Sequence, residues 1–502
     1  MADGSVAVKE QVESTNVAKG IQRNTVINLM GSVLPTALSL ITLPLYLHKI
    51  GEIRFGVLSI VWLILGYFDV FDMGVSRATS NQFARLHGAS GKTRQEVFWT
   101  ATTLNALFGL VGGAALYALA APIMGHYFKM PQDMRAEVVS CLPWLGLAVP
   151  LTTISGVFVG VLEGSERFAT VNTIEVLGTI LFRLFPLAVA YIHGPELSWL
   201  IISAFMARVV SVIPLFICAA ITVPLKGIAG PARAWIKPLF SYGGWVTINN
   251  VLFPVFVSLD RFLIGSAVDA AAVTVYSVPY NFVHRFQTLP AALARTLFPR
   301  LSGLLPREAM ELAGKSVRAL AIMTLPIMVA ATVLMYPFLS LWISPEFARR
   351  ASAVGEVLVL GVWLSSLAFI PYTLLQGQGR PRAVAFIHLA EAPFFVAAIW
   401  LGVRAGGVLG AAWVMSGRDL IDALLFLALS GLLPTVARRL AGAAAWLLLA
   451  LVLVRVGGGA SVTTQILGAV LTIASTIWAV RMEPALKELL IRLKVRFIGG
   501  VA

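Results

Sequence analysis

The chain has 502 residues, of which 58% are hydrophobic and only 12% charged, with a formal net charge of +14 and a mean hydropathy of +0.86. Soluble globular domains carry about 25% charged residues, so this composition excludes one, and the apolar runs are too long for a β-barrel, whose strands alternate over about ten residues. Nucleic acid is excluded as a partner too, because the basic residues are scattered over short loops and form no basic domain.

Residues 1–23 are polar and mixed in charge, with no apolar stretch ahead of a small-residue cleavage site, and read as a cytoplasmic N-terminal segment, not a signal peptide. Apolar runs broken by Gly, Pro and charge then predict about fourteen transmembrane helices. They begin near Asn24, Phe55, Val97, Val138, Phe168, Leu197, Leu239, Ala272, Ala319, Val357, Ala383, Gly407, Ala441 and Ser461. The fold class is therefore all-α and polytopic. The first six helices make an N-lobe over 24–224, the next six a C-lobe over 225–434, and two C-terminal helices occupy 435–481.

The tail 482–502 is amphipathic and basic. Leu486, Leu489, Leu490 and Leu493 share a helical face, with Lys487, Arg492, Lys494 and Arg496 elsewhere. Such a helix either lies on an anionic leaflet or docks on a partner. With the N-terminus inside, Arg85, Lys92, Arg94, Arg307, Lys315, Arg318, Arg438 and Arg439 all fall in cytoplasmic loops. That asymmetry sets the orientation, with both termini cytoplasmic. The loops leave no room for a soluble catalytic domain, which argues for a transporter and against an enzyme. Cys141 and Cys218 sit in spans without metal-site spacing, so they read as packing residues, and no metal or cofactor is expected.

The halves resemble each other. Leu162-Glu-Gly-Ser-Glu-Arg167 after the fourth span matches Leu375-Gln-Gly-Gln-Gly-Arg380 after the tenth, an offset of 213 residues. Ser76-Arg-Ala-Thr79 and Ala294-Arg-Thr-Leu297 match at an offset of 218. An even number of helices per repeat gives two six-helix bundles related by a pseudo-two-fold axis along the membrane normal, and a central cleft between them.

Seven arginines lie within the spans: Arg77, Arg183, Arg208, Arg261, Arg285, Arg295 and Arg418. Each costs at least about 2.5 to 3.5 kcal/mol at a helix centre unless it meets a partner or a wet cavity. Arg183, Arg208, Arg285 and Arg418 lie deepest, and guanidinium suits bidentate binding of phosphate or carboxylate, so these four are the candidate anion site. For Arg418 two readings stand, because Asp422 is one turn away and can pair with it. Arg77 and Arg295 near cytoplasmic ends, and Arg261 near an external end, are gate or interfacial candidates able to snorkel.

Acids within the spans are candidates for cation coupling. Asp69 and Asp72 share a helical face, and like charges so close favour a shared proton or sodium ion; equally, Asp72-Met-Gly-Val reads as a kink whose carboxylate bonds the backbone or Arg295. Glu175 and Glu391 are further candidates, as are His284 and His388, which suit interior hydrogen bonding as well.

The run Leu47-His-Lys-Ile-Gly-Glu-Ile-Arg-Phe-Gly-Val-Leu-Ser59, continuing through Gly66-Tyr-Phe-Asp-Val-Phe-Asp-Met-Gly-Val-Ser-Arg77, resembles the opening of the O-antigen type, Wzx-like polysaccharide flippases. The Gly160-Val-Leu-Glu-Gly-Ser-Glu-Arg-Phe and Gln376-Gly-Gln-Gly-Arg-Pro segments are similar to that family's paired motifs, and the likeness runs from about Asn24 to Pro434. These proteins belong to the multidrug/oligosaccharidyl-lipid/polysaccharide exporter superfamily. The resemblance implies alternating access and movement of an undecaprenyl-pyrophosphate-linked oligosaccharide across the bacterial inner membrane. Its expected partners are that lipid-linked substrate, membrane lipids and other polysaccharide assembly proteins. A multidrug exporter of the same superfamily is the alternative, and an integral-membrane transferase acting on lipid-linked sugars a remote one. The many arginines disfavour the first, and the lack of a clustered nucleophile and base the second.

Overall fold

The computed structural model describes residues 37–63, 71–86, 89–122, 124, 128–223, 230–239 and 258–483. Asp69, most of the seventh span and nearly all of the tail lie outside these residues. Every regular element among them is helical, and the chain divides into two compact units, Met1–Ser258 and Leu259–Ala502.

In the first unit, α1 covers 37–63 and is interrupted at Gly51, whose φ of +76° lies in the left-handed region open to glycine. The interruption falls where the sequence places the turn between the first and second spans. There follow α2 (Val75–Arg85), α3 (Gly91–Pro122), α4 (Gln132–Gly164), α5 (Phe168–His193) and α6 (Leu197–Thr222). Helix α4 is the centre of this unit, packed on α2, α3 and α6. Close packing is built into its sequence: a methyl group at Gly160 would collide with the backbone of Ser76, and one at Gly164 with the backbone of Ser80. Lipid supplies no hydrophobic force between helices, so such small-residue contacts carry the association. Phe83, Phe98, Phe158, Val161, Leu162 and Leu215 fill the remaining space.

The stretch 230–239, assigned by sequence to the start of the C-lobe, is fastened to α3 of the first unit. The Ala232 N–H donates to Thr100 Oγ1 at 2.9 Å, and Trp235 Nε1 donates to Glu96 Oε2 at 3.4 Å. Leu239 is fully buried. The first compact unit accordingly runs to Ser258.

The second unit contains α7 (258–267), α8 (Ala270–Val283), a 3₁₀ turn over His284–Gln287, α9 (Thr288–Gly303), α10 (Pro306–Val333), α11 (Met335–Trp342) and α12 (Pro345–Gly377). It ends with α13 (Pro381–Leu429), α14 (Leu433–Gly457) and α15 (Val462–Met482). Helix α12 starts cleanly: Ser344 accepts a hydrogen bond from the Phe347 N–H at 3.1 Å, and Pro345 fills the first turn. Its last residue, Gly377, packs on Ser302 at the end of α9, much as Gly164 packs on Ser80 in the first unit. The sequence match between these glycines thus rests on the same helix contact in each unit.

Helix α13 is broken at Gly407, with φ 54° and ψ −134°, where the twelfth span was expected to begin. Gly402 and Gly410 touch backbone to backbone across the break, so its two arms form an antiparallel hairpin. Nine helices among the described residues are long and apolar enough to cross a membrane, and Phe386–Leu429 at 44 residues suffices for two passes. The other expected spans fall on α1, on α7 to α9, and on residues outside the described set. Helices α14 and α15 both pack on α10. The short α11 between the ninth and tenth spans was not expected from the apolar pattern.

Candidate functional site

Arg183 and Arg208 belong to the first unit. On α6, Met206, Val210, Ile213, Ile217 and Ile221 form an exposed apolar stripe suited to lipid. The opposite side carries buried Ile201, Ala204, Val212 and Leu215, and by helical geometry Arg208 lies among them, yet it is exposed. Arg208 therefore lies on the packed side of α6, opposite the apolar stripe, which accords with the cost of placing a guanidinium in hydrocarbon. Arg183 likewise shares the side of α5 that bears buried Pro186, Leu187 and Ala190. Its guanidinium carbon lies 4.9 Å from the centre of the Trp62 ring. Its backbone carbonyl accepts a hydrogen bond from the Tyr46 hydroxyl at 2.9 Å.

Asp72 serves the start of α2. Its carboxylate accepts from the Ser76 N–H at 3.1 Å, from the Ser76 hydroxyl at 2.5 Å and from Asn105 Nδ2 at 2.5 Å. Met73 and Gly74 at the turn have φ of 51° and 74°. This matches the kink alternative in its local bonds. Glu175 and Arg77 are exposed. Asn105, fully buried in α3 and bonded also to the Thr153 carbonyl at 2.8 Å, was missed by the sequence reading, although a lone amide in an apolar run was the available signal.

In the second unit, Arg285 lies in the 3₁₀ turn between α8 and α9. Pro290 has no N–H to offer the Phe286 carbonyl four residues earlier, and such tightening is the usual answer to a lost helical bond. Exposed positions then recur every three or four residues: Asn281, Arg285, Thr288, Ala292, Arg295 and Thr296, flanked by exposed Leu289 and Phe298. On the other side Ala294, Leu297 and Leu301 are buried, the two leucines against Ile370 and Leu374 of α12. A polar stripe holding two arginines along a membrane passage belongs against water, not lipid. His284 turns inward, with Nδ1 3.0 Å from the Tyr280 carbonyl oxygen. Arg261, a gate or interfacial candidate, is 4% exposed, with its guanidinium 4.1 Å from the Tyr280 ring centre and with buried Asp260 next to it in sequence.

Arg418 is in the most elaborate charge cluster, between the two arms of α13. Its Nη2 lies 3.5 Å from Asp422 Oδ2, and its Nε 3.8 Å from Glu391 Oε2. His388 Nδ1 is 3.8 Å from Glu391 Oε2 and 4.0 Å from Asp422 Oδ1. The Phe395 ring lies against the guanidinium at 5.0 Å. His388, Glu391 and Asp422 offer ligand atoms within 4.8 Å of one another, but Arg418 stands beside both carboxylates and supplies a positive charge. The arrangement can hold a guanidinium and exchange a proton or small cation on two carboxylates and an imidazole.

Nine long apolar helices among the described residues, with arginines and a cluster of acids set among them, define a polytopic membrane protein. The solved structure titled lipid II flippase MurJ, inward closed conformation, superposes with a TM-score of 0.70 over 91% of this chain and 98% of its own, at 12% identity. An inward-facing multidrug resistance MATE family transporter of the MOP superfamily gives 0.64 over 84% and 98%, at 14% identity. Both likenesses concern the fold. The family model described as polysaccharide biosynthesis protein matches residues 51–352, and the chain belongs to that family. A protein of Shigella flexneri named for O-antigen transport is 28% identical over 81% of this chain and 96% of its own length. The Haloferax volcanii protein named as flippase AglR is 22% identical over 63% of each chain. By family the chain is thus a polysaccharide biosynthesis protein, and the relatives it resembles are named for O-antigen transport and as a flippase.

Proposed function

We propose that the protein moves an undecaprenyl-pyrophosphate-linked oligosaccharide, a surface polysaccharide repeat unit, from the inner to the outer leaflet of the bacterial inner membrane by alternating access, with both termini cytoplasmic. The observation that supports this reading is that Arg208 and Arg285 are exposed within otherwise apolar helices, where a guanidinium against lipid would be costly. Guanidinium groups there suit a pyrophosphate, since charge-assisted bonds to phosphate are among the strongest a side chain makes. Arg183 and Arg295 offer the same chemistry, as does Arg418, whose guanidinium is shared by two carboxylates. The prenyl chain stays in lipid while the sugars follow the polar route. Affinity for the anion has to be similar in the inward and outward states, or the substrate would be trapped in one.

Return of the empty carrier is coupled to a cation gradient. Glu391, with Asp422 and His388 beside it, is the supported site, because these groups share one charge system that a proton or sodium ion would rearrange. Asp69, Asp72 and Glu175 remain secondary candidates. Cationic drugs would need an acid-lined route, which exposed Arg208, Arg285 and Arg295 oppose. Removing the gene and identifying the lipid-linked oligosaccharide on the cytoplasmic leaflet tests the reading. Accumulation of a pyrophosphate-linked repeat unit is expected, and normal turnover with a gain in drug sensitivity would replace this reading with the exporter.

A further inference from the structure

Helix α8, the 3₁₀ turn and α9 run without a gap from Ala270 to Gly303. At about 1.5 Å per residue this rod is about 50 Å long, against about 30 Å for the hydrocarbon core of a bilayer. Arg285 and Thr288 lie near its middle and Asn281 one turn towards its start, so all three stand at hydrocarbon depth. All three are also exposed.

Neither Asn281 nor Thr288 makes a side-chain hydrogen bond among the described residues. Elsewhere in this unit polar side chains are satisfied within the protein. Thr296, Thr324, Thr332 and Thr373 each donate to the carbonyl one turn back, and Gln287, beside Thr288, donates to Ser365 Oγ of α12 at 2.6 Å. An amide or hydroxyl left open to hydrocarbon costs free energy that a leucine or valine in its place would not. Asn281 and Thr288 therefore meet water or a polar ligand.

The stripe that holds them is charged in one sense only: it carries Arg285 and Arg295 and no acid. Asn281 precedes Arg285 by four residues and Thr288 follows it by three, spacings that make neighbours on a helix surface. An anion held at Arg285 would thus have an uncharged polar group on either side. A carboxamide offers two donors and an acceptor, and a hydroxyl one donor and two lone pairs. Sugar hydroxyls, which both donate and accept, match these groups, and neither group competes with the guanidinium for phosphate.

We infer that Asn281 and Thr288 are sugar-contact residues, whose amide and hydroxyl bind the hydroxyls of the saccharide attached to a pyrophosphate at Arg285. The inference rests on the proposed reading of Arg285 and assigns the part of that site which recognises the sugar. A site built to hydrogen-bond a hydroxyl discriminates against a ligand that lacks it. These two residues accordingly set the preference for glycosylated over bare prenyl pyrophosphate.

The test uses the full chain in nanodiscs and two probes, a prenyl pyrophosphate carrying a hexose disaccharide and the same prenyl pyrophosphate without sugar. Asn281→Leu removes the amide at similar volume, and Thr288→Val removes the hydroxyl. Each should bind the sugar-bearing probe about fivefold more weakly, as expected for loss of one neutral hydrogen bond, and the bare probe as the wild type does, with unchanged Tm. A residue that only shapes the helix would move both affinities together. Wild-type affinity for the sugar-bearing probe in both variants, or equal weakening for the two probes, overturns the inference. Arg285→Gln should weaken both probes alike. If it binds both normally, the reading of Arg285 fails; if it weakens both while Asn281→Leu and Thr288→Val stay normal, only the sugar contacts fail.

Discussion

Across the break at Gly407, Arg418 Nε lies 3.8 Å from Glu391 Oε2. The same guanidinium reaches Asp422 one turn along its own arm at 3.5 Å. One cation thus joins both arms of the α13 hairpin and holds two carboxylates whose side chains are each 12% exposed. Substrate affinity and integrity of the hairpin are therefore separable at Arg418.

Arg418→Gln leaves Glu391 and Asp422 facing each other without their cation, and breaking such a pair from one side costs about 3 to 5 kcal/mol. A clear fall in Tm of the detergent-solubilised protein is expected. Arg418→Gln with Glu391→Gln should recover much of it, because one carboxylate is then neutral. An unchanged Tm in the single variant would assign Arg418 to substrate alone.

Arg455 ties α14 to the lobe. Its Nε lies 3.4 Å from Glu356 Oε2, whose side chain is 3% exposed, and its Nη2 donates to the Ala353 carbonyl at 2.6 Å. Arg455→Leu should lower stability by about 3 kcal/mol by stranding the carboxylate. The double change with Glu356→Leu should be milder than the single one, as read by thermal unfolding.

Gly160→Leu should separate α4 from α2, since the added side chain meets the Ser76 carbonyl directly. Overpacking of this kind costs about 1 to 3 kcal/mol. A cysteine pair placed on the two helices should crosslink less in the variant, whereas Phe168→Ala, at a position 56% exposed, should crosslink normally.

Coupling separates Asp72 from Glu391. Asp72→Ala deprives the start of α2 of three hydrogen bonds and should cost about 1 to 2 kcal/mol, as loss of a helix cap does, while transport in proteoliposomes still responds to a cation gradient. Glu391→Gln should transport at a rate the gradient no longer changes. The reverse pattern would move the coupling site to Asp72.

Apolar runs and glycine punctuation made the helical architecture legible, and the breaks at Gly51 and Gly407 fall where the sequence put its turns. Arg418 and Asp422 were readable because helical spacing of four is local. Glu391 and His388 joined them only through the hairpin, which no spacing along the chain reveals. The hold of Trp62 on Arg183 was hidden for the same reason, since it depends on α1 packing against α5. Asn105 and α11 were overlooked for a different one: a single amide and an eight-residue apolar helix both vanish inside long hydrophobic windows.

In the proposed mechanism, arginines exposed within apolar helices carry a pyrophosphate. The direct measurement is flipping of a fluorescent prenyl-pyrophosphate-linked oligosaccharide in proteoliposomes by wild type and by Arg208→Gln with Arg285→Gln. The double variant should insert and unfold at the wild-type Tm yet lose flipping to the level of protein-free vesicles. Flipping at the wild-type rate would contradict the account.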